Sequence, residues 1–267
     1  MRFSKSIQGY FLVALGFCFW LNTASAYIPP SLFILKTWVG KHARQKKLKI
    51  THLVTPGGGS QNSPAHFKEV LMASEGQLLR SWAVNDSNEV LFYQEKVVKE
   101  WSLPTQLLMS SDWVTLGRLL KDMGVPMVTQ NRPSQSEPVE IEQQSLVRWK
   151  DTISWVISEK PIQNQHPQIW FEKDTFLPLR MLYSPNHDSK SYDVAFDNFR
   201  KDFSYPRMVS LSDSSGRVLL TSQVVDLGPA SESTKWPRPS SHGWTAAGNS
   251  VPSELKDLIE LYYKSFR

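Results

Sequence analysis

From residue 167 to residue 227 the chain alternates polar and apolar side chains with almost no interruption, and that period restricts what it can fold into. Gln168–Glu172 and Leu177–Tyr183 flank the turn Lys173-Asp174-Thr175. In Tyr192–Asn198, Tyr192, Val194 and Phe196 fall on one face while Asp193, Ala195 and Asp197 fall on the other. Pro206–Asp213 and Arg217–Leu227 are joined through Ser214-Ser215-Gly216. A period of two marks strands with one buried and one wet face. A ribbon this long must curl around something, pack on something, or hold something.

The beginning of the chain carries a different signature. Arg2 and Lys5 precede an apolar run from about Tyr10 to Leu21, and Ala24-Ser25-Ala26 follows, the layout of a secretory signal peptide. The run falls short of the roughly 20 apolar residues of a membrane span. Cleavage is expected after Ala26, leaving one domain over 27–267 in the periplasm or secreted. The only cysteine, Cys18, leaves with the signal. Phe17 before it is a poor fit to a lipid-attachment site. Disulfides, thiolate catalysis and cysteine-ligated metal are thereby excluded from the exported chain. Its formal charge of +5 falls by two on cleavage, a balance that argues against a nucleic-acid partner.

Helical spacing over Ser31–Gln45 places Leu32, Leu35, Trp38 and Val39 together, ahead of the cations Lys41, Arg44, Lys46 and Lys47. Cations late in a helix complement its dipole. Packing on the sheet is one reading of this helix, and docking on a membrane surface or a partner is another. Leu48–Thr55 reads as a strand, and Phe67–Ser74, Gln77–Val84 and Glu89–Glu95 as a meander. The loop Pro56-Gly57-Gly58-Gly59-Ser60 is no phosphate cradle, because no Gly-Lys-Ser/Thr follows. In Ser110–Met123 the period changes, stacking Trp113, Leu116, Leu120 and Met123 on one helical face. Val139, Ile141, Val147 and Trp149, then Ile153, Trp155 and Ile157, resume the strands around Lys150-Asp151. A Pro/Ser/Gly-rich strap over 228–250, with Trp236 and Trp244, precedes a last helix at 253–266 that turns Leu255, Leu258, Ile259 and Tyr262 inward.

Positive signs of catalysis are lacking. The six histidines (His42, His52, His66, His166, His187 and His242) form no His-x-x-x-His or His-Glu-x-x-His pattern, and there is no Gly-x-Ser-x-Gly elbow. Carboxylate pairs such as Glu172 with Asp174, or Asp193 with Asp197, are what any β-rich surface offers. Neither an enzyme nor a cofactor or metal is expected, and a hydrolase with a dispersed site is the weaker alternative. What remains is aromatic content: of ten tryptophans all but Trp20 lie beyond the signal. Trp149 and Trp155 are expected on apolar faces of adjacent strands, where they need no explanation beyond a core. The alternatives are an aromatic-lined cavity for an apolar ligand and an exposed platform for glycans. Leu78, Trp82, Val84, Trp113, Leu116, Leu120, Trp149 and Trp155 are the candidate cavity residues.

Three stretches resemble the periplasmic lipoprotein-carrier superfamily of LolA-like and LolB-like proteins and their outer-membrane lipoprotein-sorting relatives. They are Glu75-Gly76-Gln77-Leu78-Leu79-Arg80-Ser81-Trp82, Glu89-Val90-Leu91-Phe92-Tyr93, and the hairpin Gln168–Arg180 with its Leu177-Pro178-Leu179-Arg180. The resemblance runs from Phe67 to Leu227. It implies an α+β fold, predominantly antiparallel β, in which an incomplete (unclosed) β-barrel of about ten or eleven strands wraps around helices. It further implies a soluble carrier of lipoproteins or lipids, with acyl chains on the concave face and inner- or outer-membrane proteins as partners. An envelope stress sensor that binds a membrane protein is the alternative on the same fold. Ser110–Met123 would be an inner helix. Arg80 would lock the lid, as an arginine of the family's early strand does by hydrogen bonding to the helical plug. On residues alone, Arg80 shares a face with Leu78, Trp82 and Val84 and must find acceptors or reach the sheet edge.

Overall fold

The structure, a computed structural model, describes residues 29–42, 47–57, 65–74, 78–122, 125, 144–158, 166–184, 190–200, 204–230, 242–245 and 250–267. The expected signal segment, Val139 and Ile141, and Trp236 lie outside these.

Twelve described strands form one sheet. In chain order they are β1 (Leu48–Pro56), β2 (Phe67–Ser74), β3 (Leu78–Val84), β4 (Val90–Val97), β5 (Gln144–Trp149), β6 (Thr152–Ser158), β7 (Gln168–Glu172), β8 (Pro178–Tyr183), β9 (Tyr192–Arg200), β10 (Tyr205–Asp213), β11 (Val218–Pro229) and the two-residue β12 (Gly243–Trp244). Their spatial order is β12-β4-β3-β2-β1-β11-β10-β9-β8-β7-β6-β5, every pair antiparallel, with β12 and β5 at opposite ends and unpaired with each other. This is the expected unclosed antiparallel sheet. β11 closes back onto β1, so the 167–227 ribbon joins the early meander edge to edge.

Local chemistry sets the turns. Between β10 and β11 the Asp213 carboxylate accepts from the Ser215 and Arg217 backbone N–H groups and from the Ser215 hydroxyl, while Gly216 takes φ +83°. The β5–β6 hairpin has only Lys150 and Asp151 between the paired Trp149 and Thr152, and Lys150 adopts φ +52°. Four register shifts interrupt the ladders, at Thr51/His52, Leu211/Ser212, Ala83/Val84 and Trp170/Phe171. Each leaves an extra residue on one strand and sharpens the twist.

Four α-helices pack against one face: α1 (Ser31–His42), α2 (Leu103–Met109), α3 (Trp113–Asp122) and α4 (Ser253–Ser265). Asp112 caps α3 by accepting from the Val114 and Thr115 backbone N–H groups. The sheet wraps around α4. Phe92 of β4 meets the Tyr263 ring at 4.5 Å, and the Tyr183 hydroxyl of β8 donates to the Ser265 carbonyl. Six strands separate β4 from β8. In a flat sheet that is about 34 Å, several times a helix diameter, so both strands reach one helix only because the sheet curls. Ile50, Phe67, Val209, Val194 and Ile169, from five strands, join Trp38, Leu107 and Tyr262 of the helices in one core at 1% exposure or less.

Gly57 marks a tight approach beyond β1. Its N–H donates to the Leu219 carbonyl at 2.8 Å, and a Cβ there would lie 1.8 Å from the Val218 carbonyl oxygen. Gly57→Ala is expected to force β1 and β11 apart and lower stability by about 2 kcal/mol, read as a lower urea midpoint with unchanged slope.

Candidate functional site: the buried latch of the concave face

Strand alternation places Phe67, Glu69 and Leu71 of β2 inward, which sets one carboxylate in an apolar stripe. Glu69 has no solvent exposure. An unpaired carboxylate there would be strongly disfavoured, and five donors surround it. Its Oε1 accepts from Ser81 Oγ at 2.6 Å and Arg267 Nε at 2.7 Å. Its Oε2 accepts from the Tyr262 hydroxyl at 2.5 Å and an Arg267 terminal nitrogen at 2.7 Å, with His52 Nδ1 at 2.9 Å. The two Arg267 bonds make the parallel fork that suits a guanidinium to a carboxylate.

Surrounding groups complete the cluster. Arg267 also donates to Thr105 Oγ1 at 3.1 Å, and Thr105 donates to the Phe266 carbonyl at 2.6 Å. The Ser102 N–H donates to the Arg267 carbonyl at 2.8 Å. Tyr263 hydrogen-bonds Ser81 at 2.6 Å, and the Tyr205 hydroxyl lies 3.2 Å from His52 Nε2. The cluster therefore ties α4 and the residues just after it to β1, β2, β3, β10 and α2.

The protonation states follow from burial and pairing. Burial pushes the Glu69 carboxyl up, but the Arg267 guanidinium and the His52 hydrogen bond outweigh it and hold it well below the usual carboxylate range. Arg267 is drawn down by burial and carried well above its ordinary value by Glu69. For His52 burial prevails and lowers the imidazole despite the neighbouring carboxylate. A neutral ring beside an acceptor-only carboxylate carries its proton on Nδ1, which leaves Nε2 to accept from Tyr205. Burial raises the Tyr205, Tyr262 and Tyr263 hydroxyls. One carboxylate then balances one guanidinium among neutral groups. With Glu69, His52 and Arg267 at 2% exposure or less, no substrate reaches them in this arrangement. The cluster is a latch between helix and sheet.

The residues anticipated from sequence divide between the two faces. Leu116, Leu120 and Trp155 lie in the concave core, and half-buried Trp113 packs against it. Trp82 and Val84 face the opposite, convex side, where they cluster with Val70 and Tyr93; Leu78 is a half-buried residue at the start of β3. Trp149 is convex too. It lies 5.5 Å from the Trp170 ring, and the Arg180 guanidinium sits 4.4 Å and 5.6 Å from the two ring centres while Asp193 accepts its fork. The eight side chains thus do not converge on one cavity. Arg80 is not in the latch: its Nε donates to Glu95 at 2.8 Å on the convex face. Of the weighed carboxylate pairs, Asp193 holds Arg180, Asp197 holds Lys150 at 2.9 Å, and Glu172 accepts from Thr175. In the strap, Trp244 packs on Phe92 at 5.4 Å, and Lys256 of α4 lies 5.2 Å above its ring.

The chain has distant likenesses among solved structures. A LolA superfamily protein from Nitrosomonas europaea is similar over 76% of this chain and 95% of its own, at 10% identity and a TM-score of 0.44. An outer membrane lipoprotein-sorting protein domain from Vibrio parahaemolyticus is similar over 75% and 92%, at 9% identity and 0.40. A MucA/MucB complex from Pseudomonas aeruginosa is similar over 75% of this chain and 58% of that one, at 9% identity and 0.32. No protein-family model and no curated protein sequence matches the chain. These likenesses concern the fold alone.

Proposed function

We propose that the protein is a non-catalytic binding protein of the cell envelope whose concave sheet face is the binding surface, with α4 its resident occupant. Residues 1–26 direct export, with cleavage after Ala26. The ligand is apolar, the acyl chains of a lipoprotein being the cargo that the sequence resemblance implies, in outer-membrane lipoprotein sorting. The observation that carries this reading is the Glu69–Arg267 latch. A buried ion pair gives little net stability over apolar packing of the same volume, but demands one geometry. It fixes where α4 sits, and both charges regain water when the helix leaves. The inward side chains of α4 and its end, Leu258, Ile259, Tyr262, Tyr263 and Phe266, present the kind of surface an acyl chain replaces, each buried methylene contributing about 0.8 kcal/mol.

Tyr262→Phe tests this reading, because it keeps the ring and removes one of the five donors to Glu69. The latch should weaken by about 1 kcal/mol and a fluorescent fatty acid should bind roughly fivefold more tightly. Native mass spectrometry of gently purified wild-type protein should find bound lipid. Absence of bound lipid together with no probe uptake by either protein would dismiss the carrier reading. A second reading, docking of a membrane protein without displacement of α4, is favoured by the full packing of Phe67, Tyr262 and Phe266. It predicts co-purification of one protein and no lipid.

A further inference from the structure

α1 presents two unlike faces. Ile34, Leu35, Trp38 and Val39 are buried at 2% exposure or less, whereas Phe33 is 48% exposed and Lys36, Gly40 and Lys41 face solvent beside it. With Thr37 and Ser204 these four line a surface groove of about 610 Å³. Aromatic rings position its cations. Lys36 Nζ lies 5.8 Å from the Trp113 ring centre; Lys41 Nζ lies 5.1 Å from that of Phe176 and donates to the Thr175 carbonyl at 2.7 Å. The Phe33 ring meets Phe176 edge-on at 6.0 Å.

The stretch of sequence that carries α1 is one-sided in charge. From Tyr27 to Lys68 the sequence contains no Asp or Glu, and Lys36, Lys41, Arg44, Lys46, Lys47 and Lys49 fall within residues 36–49. The first carboxylate, Glu69, is spent inside the latch. On the facing β7–β8 turn, Glu172 is engaged by Thr175 and Asp174 is exposed, while Lys36 and Lys41 line the groove itself.

We propose that this face of α1 docks on an anionic phospholipid surface, with Phe33 entering the headgroup layer and the lysines meeting phosphates. An exposed aromatic beside a row of cations on a half-buried helix matches an element that lies in the interface plane. The helix has 12 residues, far short of a span, and no described helix is long and apolar enough to cross a membrane. The two positioned cations are ammonium point charges rather than guanidinium forks. As point charges they need no fixed partner geometry, and the exposed Phe33 beside them suits a phosphate layer with an apolar interior beneath it, which an acidic peptide does not offer. This docking goes beyond the carrier reading and holds whether or not α4 leaves the concave face.

Flotation of the exported protein with phosphatidylcholine vesicles, with and without phosphatidylglycerol, tests it. Every variant shares the same N-terminus, so any contribution from preceding residues is common to all. Wild type should float with the phosphatidylglycerol vesicles, and high salt should release most of it but leave a small residual fraction bound. K36E/K41E should lose at least roughly thirtyfold in partition, about fivefold for each cation removed. Phe33→Ser should abolish the binding that survives high salt. Lys99→Glu, at an exposed cation outside the groove, should behave as wild type. Equal flotation with pure phosphatidylcholine, no flotation at all, or wild-type flotation of K36E/K41E would overturn the proposal. So would binding to poly-glutamate as tight as to the anionic vesicles, which would assign the groove to an acidic protein. Should K36E/K41E lose its near-ultraviolet circular dichroism, the salt and phosphatidylglycerol dependence of wild type decides.

Discussion

Arg267→Met is expected to lower the unfolding free energy by about 3–5 kcal/mol, because it leaves Glu69 charged and buried without its main partner. The loss has little to do with the intrinsic strength of the pair. Ser81, Tyr262 and His52 still reach the carboxylate, but none supplies a full positive charge while the imidazole stays neutral. Glu69→Gln combined with Arg267→Met removes both charges and should recover a large part of the loss. That non-additivity, measured by urea unfolding of the two single variants and the double, distinguishes a charge latch from ordinary packing. Equal and additive losses would refute it.

The same cluster sets the response to acid. The Glu69 carboxyl is held below its ordinary value in the folded chain, so the unfolded chain binds more protons as pH falls into the carboxylate range. His52 is also lowered, which gives the same sign from its unfolded value of 6.5 downward. Wild-type stability should therefore hold above about pH 6.5 and fall progressively below it. In Arg267→Met the main force depressing Glu69 is gone while burial remains. Its carboxyl then titrates higher, and the destabilisation relative to wild type should shrink as pH falls. A gap that widens in acid would count against the latch.

Much of the sheet was legible because alternation and turn residues are local signals. Tyr192, Val194 and Phe196 all point inward as their spacing implies. α2 was not legible: Leu103 to Leu108 are buried on all sides, so the segment has neither a polar face nor the length that betrays a helical period. Trp155 lies in the core as its spacing implies, and Trp149 lies on the opposite face for a reason of parity. The two-residue turn pairs Trp149 with Thr152 and Leu146 with Trp155. Paired residues share a face and odd steps along a strand change it, which puts the two indoles on opposite sides. The latch joins residues as far apart as His52 and Arg267, 215 positions in sequence. Its one local trace was Glu69 at an inward position between Phe67 and Leu71.

Trp38→Ala is expected to cost about 3–5 kcal/mol and to loosen the helical layer ahead of the sheet. Trp38 is fully buried, and its indole N–H donates to the Leu107 carbonyl at 2.9 Å while its ring meets Phe199 edge-on at 6.4 Å. One side chain thus couples α1 to α2 and to β9. Truncation opens a cavity that three elements border, and it strands a carbonyl in an apolar interior. Trp38→Phe keeps most of the volume and removes only the donor, so it should cost about 1–2 kcal/mol more than a volume-matched swap without that bond. Hydrogen exchange places the effect. Amides of α1 and α2 should lose protection in Trp38→Ala before those of β10 and β11, whose ladder does not depend on the helices. Uniform loss across sheet and helices would mean that the two layers unfold as one unit, and α4 would then have no route out of the concave face short of global unfolding.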